Sequence, residues 1–166
     1  FTPHHLASTL WACATLHYNP GEVLLATILE HAHQKLASFN GQDLGNTLWA
    51  CAALGYHPKA EIMMAMLCET RQKLPACIAQ NMTNIVWACA SLSYNPGDDI
   101  LTEILLEIKL SLHRCNAQDL ANSLWACGAL SHDPGYEILT ALMAEACRKF
   151  RSFNACELTM SLWAAA

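Results

Sequence analysis

Long apolar runs, basic side chains and ready-made catalytic patterns are all scarce in this chain, and each shortage closes off a class of function. Polar residues interrupt every helix-length window. No run approaches the roughly 20 consecutive apolar residues that span a bilayer, so no membrane association is expected. Lys and Arg number 9 against 14 Asp and Glu, for a formal net charge of -5. That balance excludes a broadly basic, indiscriminate nucleic-acid binder, and any such binding must come from local arrangement. There is no Cys-x-x-Cys pair to clamp zinc, no glycine-rich phosphate loop, and no Ser/His/Asp set in fixed register. Neither enzymatic activity nor a cofactor or metal is expected. The first residue is Phe1 and no basic-then-apolar leader follows, so the chain reads as a segment of a longer polypeptide.

What is abundant is apolar and periodic. Hydrophobic residues make up 54% and charged ones 14%, the balance of a packed protein. Tryptophan falls at 11, 49, 87, 125 and 163, always 38 residues apart. Such regularity marks a repeat array. Around Trp49, Leu44, Leu48 and Cys51 lie at helical spacing on one side, with Gln42, Asp43, Asn46 and Thr47 on the other, which predicts an amphipathic helix, here called A. Thr2, Asn40, Asn116 and Asn154 are suited to cap its start, and Ile78 in the third unit is not. Proline turns follow at "YNPG", "YHPK", "YNPG" and "HDPG". A second helix, B, is then predicted. Acids open it at Glu22, Glu61, Asp98, Asp99 and Glu137, and bases close it, an order that suits the helix dipole.

A lone helix pair cannot bury both faces, so neighbours must stack. The prediction is all-α: an α-solenoid of stacked antiparallel helix pairs, about 4.4 repeats of 38 residues in one array over 1–166. The repeats run 1–38, 39–76, 77–114 and 115–152, with a partial repeat over 153–166. Neither end carries the polar outer face of a capping repeat. The chain is therefore expected to continue in a longer parent, or isolated copies to associate end to end.

Cys13, Cys51, Cys89 and Cys127 follow each Trp by two residues. Stacked helices lie about 8–10 Å apart, beyond the roughly 7 Å limit of a disulfide. These cysteines read as small buried hydrophobes in a reducing compartment. The histidines, including "HAH" at His31 to His33, diverge around a helix and read as solvated surface. The tryptophans could stack nucleobases. Their position beside Leu44, Leu48 and Ala52 instead favours a packing seam, with each indole N–H satisfied locally.

The polar face of helix A varies among units while its apolar face does not. Its candidate base contacts are His4, His5 and Ser8; Gln42, Asp43 and Asn46; Gln80, Asn81 and Asn84; and Gln118, Asp119 and Asn122. The unchanging Ala12, Ala50, Ala88, Ala126 and Ala164 beside it would admit either a neighbouring helix or a ligand backbone. Lys35, Arg71, Lys73, Lys109, Arg114, Arg148 and Lys149 gather at the end of helix B, leading into the next A helix and its free amides. That rim is a candidate phosphate track, though dipole compensation accounts for the same placement.

The 38-residue period joined to "QDLANSLWACGAL", Gln118 to Leu130, closely resembles the octotricopeptide repeat, with the heptatricopeptide repeats a near neighbour. The resemblance covers essentially the whole chain. Where many members of that family carry "PPPEW", this chain reads "NPGEV", "HPKAE", "NPGDD" and "DPGYE". The resemblance implies an α-solenoid that binds single-stranded RNA in chloroplasts or mitochondria, promoting transcript stability, processing or translation. The function expected is sequence-selective RNA binding, with two or three helix A side chains per base. The alternative is a protein–protein interaction scaffold.

Overall fold

A computed structural model describes residues 1–164, with side chains described as far as Ser161. The side chains of Trp163 and Ala164, which complete the Trp and Ala series, and all of Ala165 and Ala166 lie outside the described residues. Within that range the chain is α-helical throughout: α1 (Pro3–Thr15), α2 (Glu22–His33), α3 (Gly41–Ala53), α4 (Ala60–Lys73), α5 (Ala79–Ser91), α6 (Asp98–Leu110), α7 (Ala117–Ala129), α8 (Tyr136–Arg148) and α9 (Ala155–Ala164). A single 3-10 turn links each B helix to the next A helix. The odd-numbered helices are the A series and the even-numbered ones the B series. The densest packing runs between consecutive A helices, while consecutive B helices touch more sparsely. The fold is an α-solenoid.

Local chemistry explains each boundary. Thr2, Asn40 and Asn116 accept a bond from the amide three residues on, and Asp43 and Asp119 reach back to the cap amides. Asn154 and Glu157 repeat the arrangement at α9. At α5, Ile78 offers no side-chain cap; only Asn81 answers, accepting from the Ile78 amide at 3.3 Å. Helix A ends on a residue with left-handed backbone: His17, Gly55, Ser93 and Ser131, at φ of 51°, 63°, 50° and 51°. The next amide, of Tyr18, Tyr56, Tyr94 or His132, then donates to the Cys13, Cys51, Cys89 or Cys127 carbonyl, closing a Schellman turn. Asn19, Asn95 and Asp133 accept from the amides of Gly21, Gly97 and Gly135 two residues later. Those glycines open helix B at positive φ, whereas Lys59 fills that place in the second unit at φ -55°.

The core lies between the A and B layers, built from residues such as Leu10, Leu44, Leu48, Leu120 and Leu124 of the A series and Leu25, Leu29, Met66, Ile104 and Leu142 of the B series. The A helices stack closely because their flanks are small. Ala50, Ala88 and Ala126 are buried, so the constant alanine admits the neighbouring helix. A methyl group on Gly45 would sit 3.1 Å from the Asn81 carbonyl oxygen and 3.3 Å from its Cα. On Gly41 it would overlap the Cys77 sulfur.

All nine cysteines are free. Cys51, Cys89 and Cys127 are buried, and burial pushes their thiols up to about 12. Cys13, in the first helix, is only half-buried. One histidine departs from the surface expectation. His132 is buried in the place that tyrosine holds elsewhere, its Nδ1 3.0 Å from Asp98 Oδ1 and its Nε2 3.3 Å from the Thr102 hydroxyl. Among the described residues, no group of three or more His, Cys, Asp or Glu is placed to hold a metal ion. No described helix is long and apolar enough to cross a membrane.

Two measurements follow. Ile78 is exposed and its backbone has the extended cap geometry of Asn40, so Ile78→Asn should raise unfolding stability by about 1 kcal/mol in urea titration. The raised thiols favour the protonated folded state, so their contribution is complete below pH 9 and is lost as pH climbs from about 9 toward 12. Tm should fall steeply across that window, and Cys51→Ala/Cys89→Ala/Cys127→Ala should flatten the fall.

Candidate nucleic-acid interface

An A helix in this array has little free surface. It meets the previous A helix on one flank, the next on the other, and the B layer behind. At 3.6 residues per turn, Gln42, Asn46, Trp49 and Ala53 fall within an arc of about 60° on the remaining side. The burial pattern of α3 follows that geometry: Gln42 and Ala53 are exposed, Asn46 and Trp49 half-buried, and Asp43, Leu44, Thr47, Leu48, Ala50 and Cys51 buried. The same line in α5 carries Gln80, Asn84, Trp87 and Ser91, and in α7 Gln118, Asn122, Trp125 and Ala129. In α1 it carries His4, Ser8, Trp11 and Thr15.

This stripe divides the predicted base contacts into two groups. Gln42, Gln80 and Gln118 are exposed, and Asn46 and Asn84 half-buried. Asn122 is more deeply set, at 6% exposed. Among the described residues, none of these six amide side chains has a hydrogen-bond partner in the protein. The asparagines of caps and turns, by contrast, are all engaged.

The second group sits elsewhere than expected. Asp43, Asn81 and Asp119 are buried between stacked A helices, where each accepts from its own cap amide. Asp119 also accepts from the Thr83 hydroxyl of the preceding A helix at 3.0 Å, and His4 Nδ1 lies 3.3 Å from Asp43 Oδ1. These groups hold adjacent units together and are not presented on the open face. His5 and Ser8 are also occupied locally: His5 pairs with Thr2 across the helix start, and the Ser8 hydroxyl lies 3.4 Å from His4 Nε2.

The tryptophans do two things at once. Trp49, Trp87 and Trp125 pack against the core, as expected, and their half-buried rings also border the open stripe beside the asparagines. No protein acceptor takes the indole N–H of Trp49, Trp87 or Trp125 among the described residues. The Trp49 and Trp87 ring centroids are 6.5 Å apart with planes tilted 33°. The i, i+4, i+7, i+11 spacing of Gln42, Asn46, Trp49 and Ala53 was the available signal. The apolar character of indole masked it.

Most of the predicted phosphate contacts are already used. Arg71 pairs with Glu103 and Lys109 with Glu137, while Arg148 and Lys149 share Glu145 and hold its carboxyl down to about 2. Lysines at one recurring position have a further task. Lys35 donates to the Phe1 carbonyl at 2.7 Å, Lys73 to the Ala37 carbonyl at 2.9 Å and to that of Phe39, and Lys149 to the Cys115 carbonyl. Each ties the end of a B helix to the carbonyls just before the A helix of its own unit, and Ser111 interrupts the series in the third. Arg114 is different: it is exposed, and among the described residues its guanidinium donates to His113 Nε2 alone, at 3.2 Å. Together with Lys149, Asn116 and Gln118 it lines an open cleft of about 610 Å³ at the start of α7. Arg114, Lys149 and Gln118 are thus the predicted contacts that the fold gathers into one place.

These roles separate experimentally. Lys73→Met removes a charge-assisted tie and should lower unfolding stability by about 1 kcal/mol in urea. Arg114→Gln should leave it unchanged.

Among curated proteins no relative matches the chain. A family model described as Tbc2 translation factor, N-terminal domain, matches residues 1–95 and again 95–166, which together span the whole chain. The chain therefore belongs to the family of the Tbc2 translation factor N-terminal domain.

Proposed function

We propose that this array is a non-catalytic module that binds single-stranded RNA in a sequence-selective way, using the open stripe of its A helices. The observation that carries the proposal is the row of amides with no protein partner among the described residues, Gln42 with Asn46, Gln80 with Asn84 and Gln118 with Asn122, one pair in each of the second to fourth units. An amide offers a donor and an acceptor side by side, the pattern needed to read a base edge. Amides left without protein partners in otherwise satisfied helices are suited to an external ligand. Membership of a family named for a translation factor supports RNA as that ligand. The octotricopeptide resemblance extends the proposal to an organelle, chloroplast or mitochondrion, and to transcript stability, processing or translation. At one base per unit, four full units read about four nucleotides, too short a site for tight binding alone. Association with further repeats, in a longer chain or end to end, is part of the same proposal.

A second proposal, a protein-interaction scaffold, draws on charge. Six of the nine basic side chains are paired with acids and the formal net charge is -5.

Selection from a random single-stranded RNA pool separates the two. The expected outcome is enrichment of a short motif, with affinity reduced at least tenfold in Gln42→Ala/Asn46→Ala/Gln80→Ala/Asn84→Ala at unchanged Tm. Absence of binding at low salt, where attraction to phosphate is strongest, would overturn the RNA proposal and favour the scaffold.

A further inference from the structure

The four tryptophans whose side chains are described occupy one line bordering the open face, and Trp49, Trp87 and Trp125 also pack on the core. Trp11 is 44% exposed, and Trp49, Trp87 and Trp125 each show part of the ring to solvent beside an unpaired asparagine. Their N–H groups have no protein acceptor among the described residues. The 6.5 Å between the Trp49 and Trp87 centroids lies close to twice the roughly 3.4 Å separation of stacked bases.

We propose that Trp11, Trp49, Trp87 and Trp125 form a ladder on which the bases of single-stranded RNA stack, one base per A helix, with the neighbouring Gln and Asn amides meeting the base edge. This rests on the RNA-binding proposal and adds a division of labour. The indoles supply affinity common to all four bases, since every base has a π-face. The amides supply choice among them. Phosphate contacts at the B-helix rim, with Arg114 foremost, are independent of both.

The test uses the complete chain and a labelled random single-stranded RNA 12-mer pool. RNA should quench intrinsic tryptophan fluorescence. Trp87→Leu should weaken binding about tenfold or more without changing the slope of affinity against salt, because no phosphate contact is lost. Trp87→Phe should recover part of the affinity. Should Trp87→Leu lose its helical circular dichroism, Trp11→Leu offers the same comparison at the most exposed ring. RNA binding of wild-type strength by a folded Leu variant, or binding without change in fluorescence, overturns the ladder and leaves RNA binding standing. No binding by the wild-type chain overturns both.

Discussion

Close stacking of A helix on A helix is the interaction from which the rest of this structure follows. With neighbours on both flanks and the B layer behind, each A helix keeps one narrow line for any other purpose. Close approach also requires small residues at the flanks, which the buried alanines and Gly45 provide. The closely packed flanks and the single open line of each unit are two results of that one geometric demand.

The same demand sorts the polar groups. An acid at the third helical position would normally only cap its own helix. Here the neighbouring helix comes so close that Asp119 also takes the Thr83 hydroxyl and Asp43 meets His4, so a local cap becomes a joint between units. Thr47 and Ser123, buried on the same flank, turn their hydroxyls back to carbonyls four residues earlier. A fraction of a turn round the helix, the glutamines and asparagines meet no such partner among the described residues. The distinction between structural and available polar groups is one of angle, about 60–100° around a helix.

Charge follows a similar economy in an acidic chain with few bases. The recurring lysine ties the end of a B helix to the carbonyls that lead into the A helix it pairs with, so several cations expected to face phosphates hold the helix pair together. What remains for a ligand is local, with Arg114 at the cleft beside α7 the clearest instance.

The 38-residue period, the caps, the proline turns and the dipole-ordered charges were all legible in the sequence, because each depends on residues within one or two helical turns of each other. Periodicity alone was enough to predict the α-solenoid, and the missing cap at Ile78 could be read from one letter. Three assignments needed the tertiary structure: that Asp43, Asn81 and Asp119 point into a helix–helix joint, that Lys35, Lys73 and Lys149 reach back to the carbonyls before the paired A helix, and that the tryptophans pack on the core while bordering the open face. Each depends on where the neighbouring helix sits. A helical wheel gives the angle of a side chain but not the direction from which the next helix arrives, and that direction decided which faces were buried.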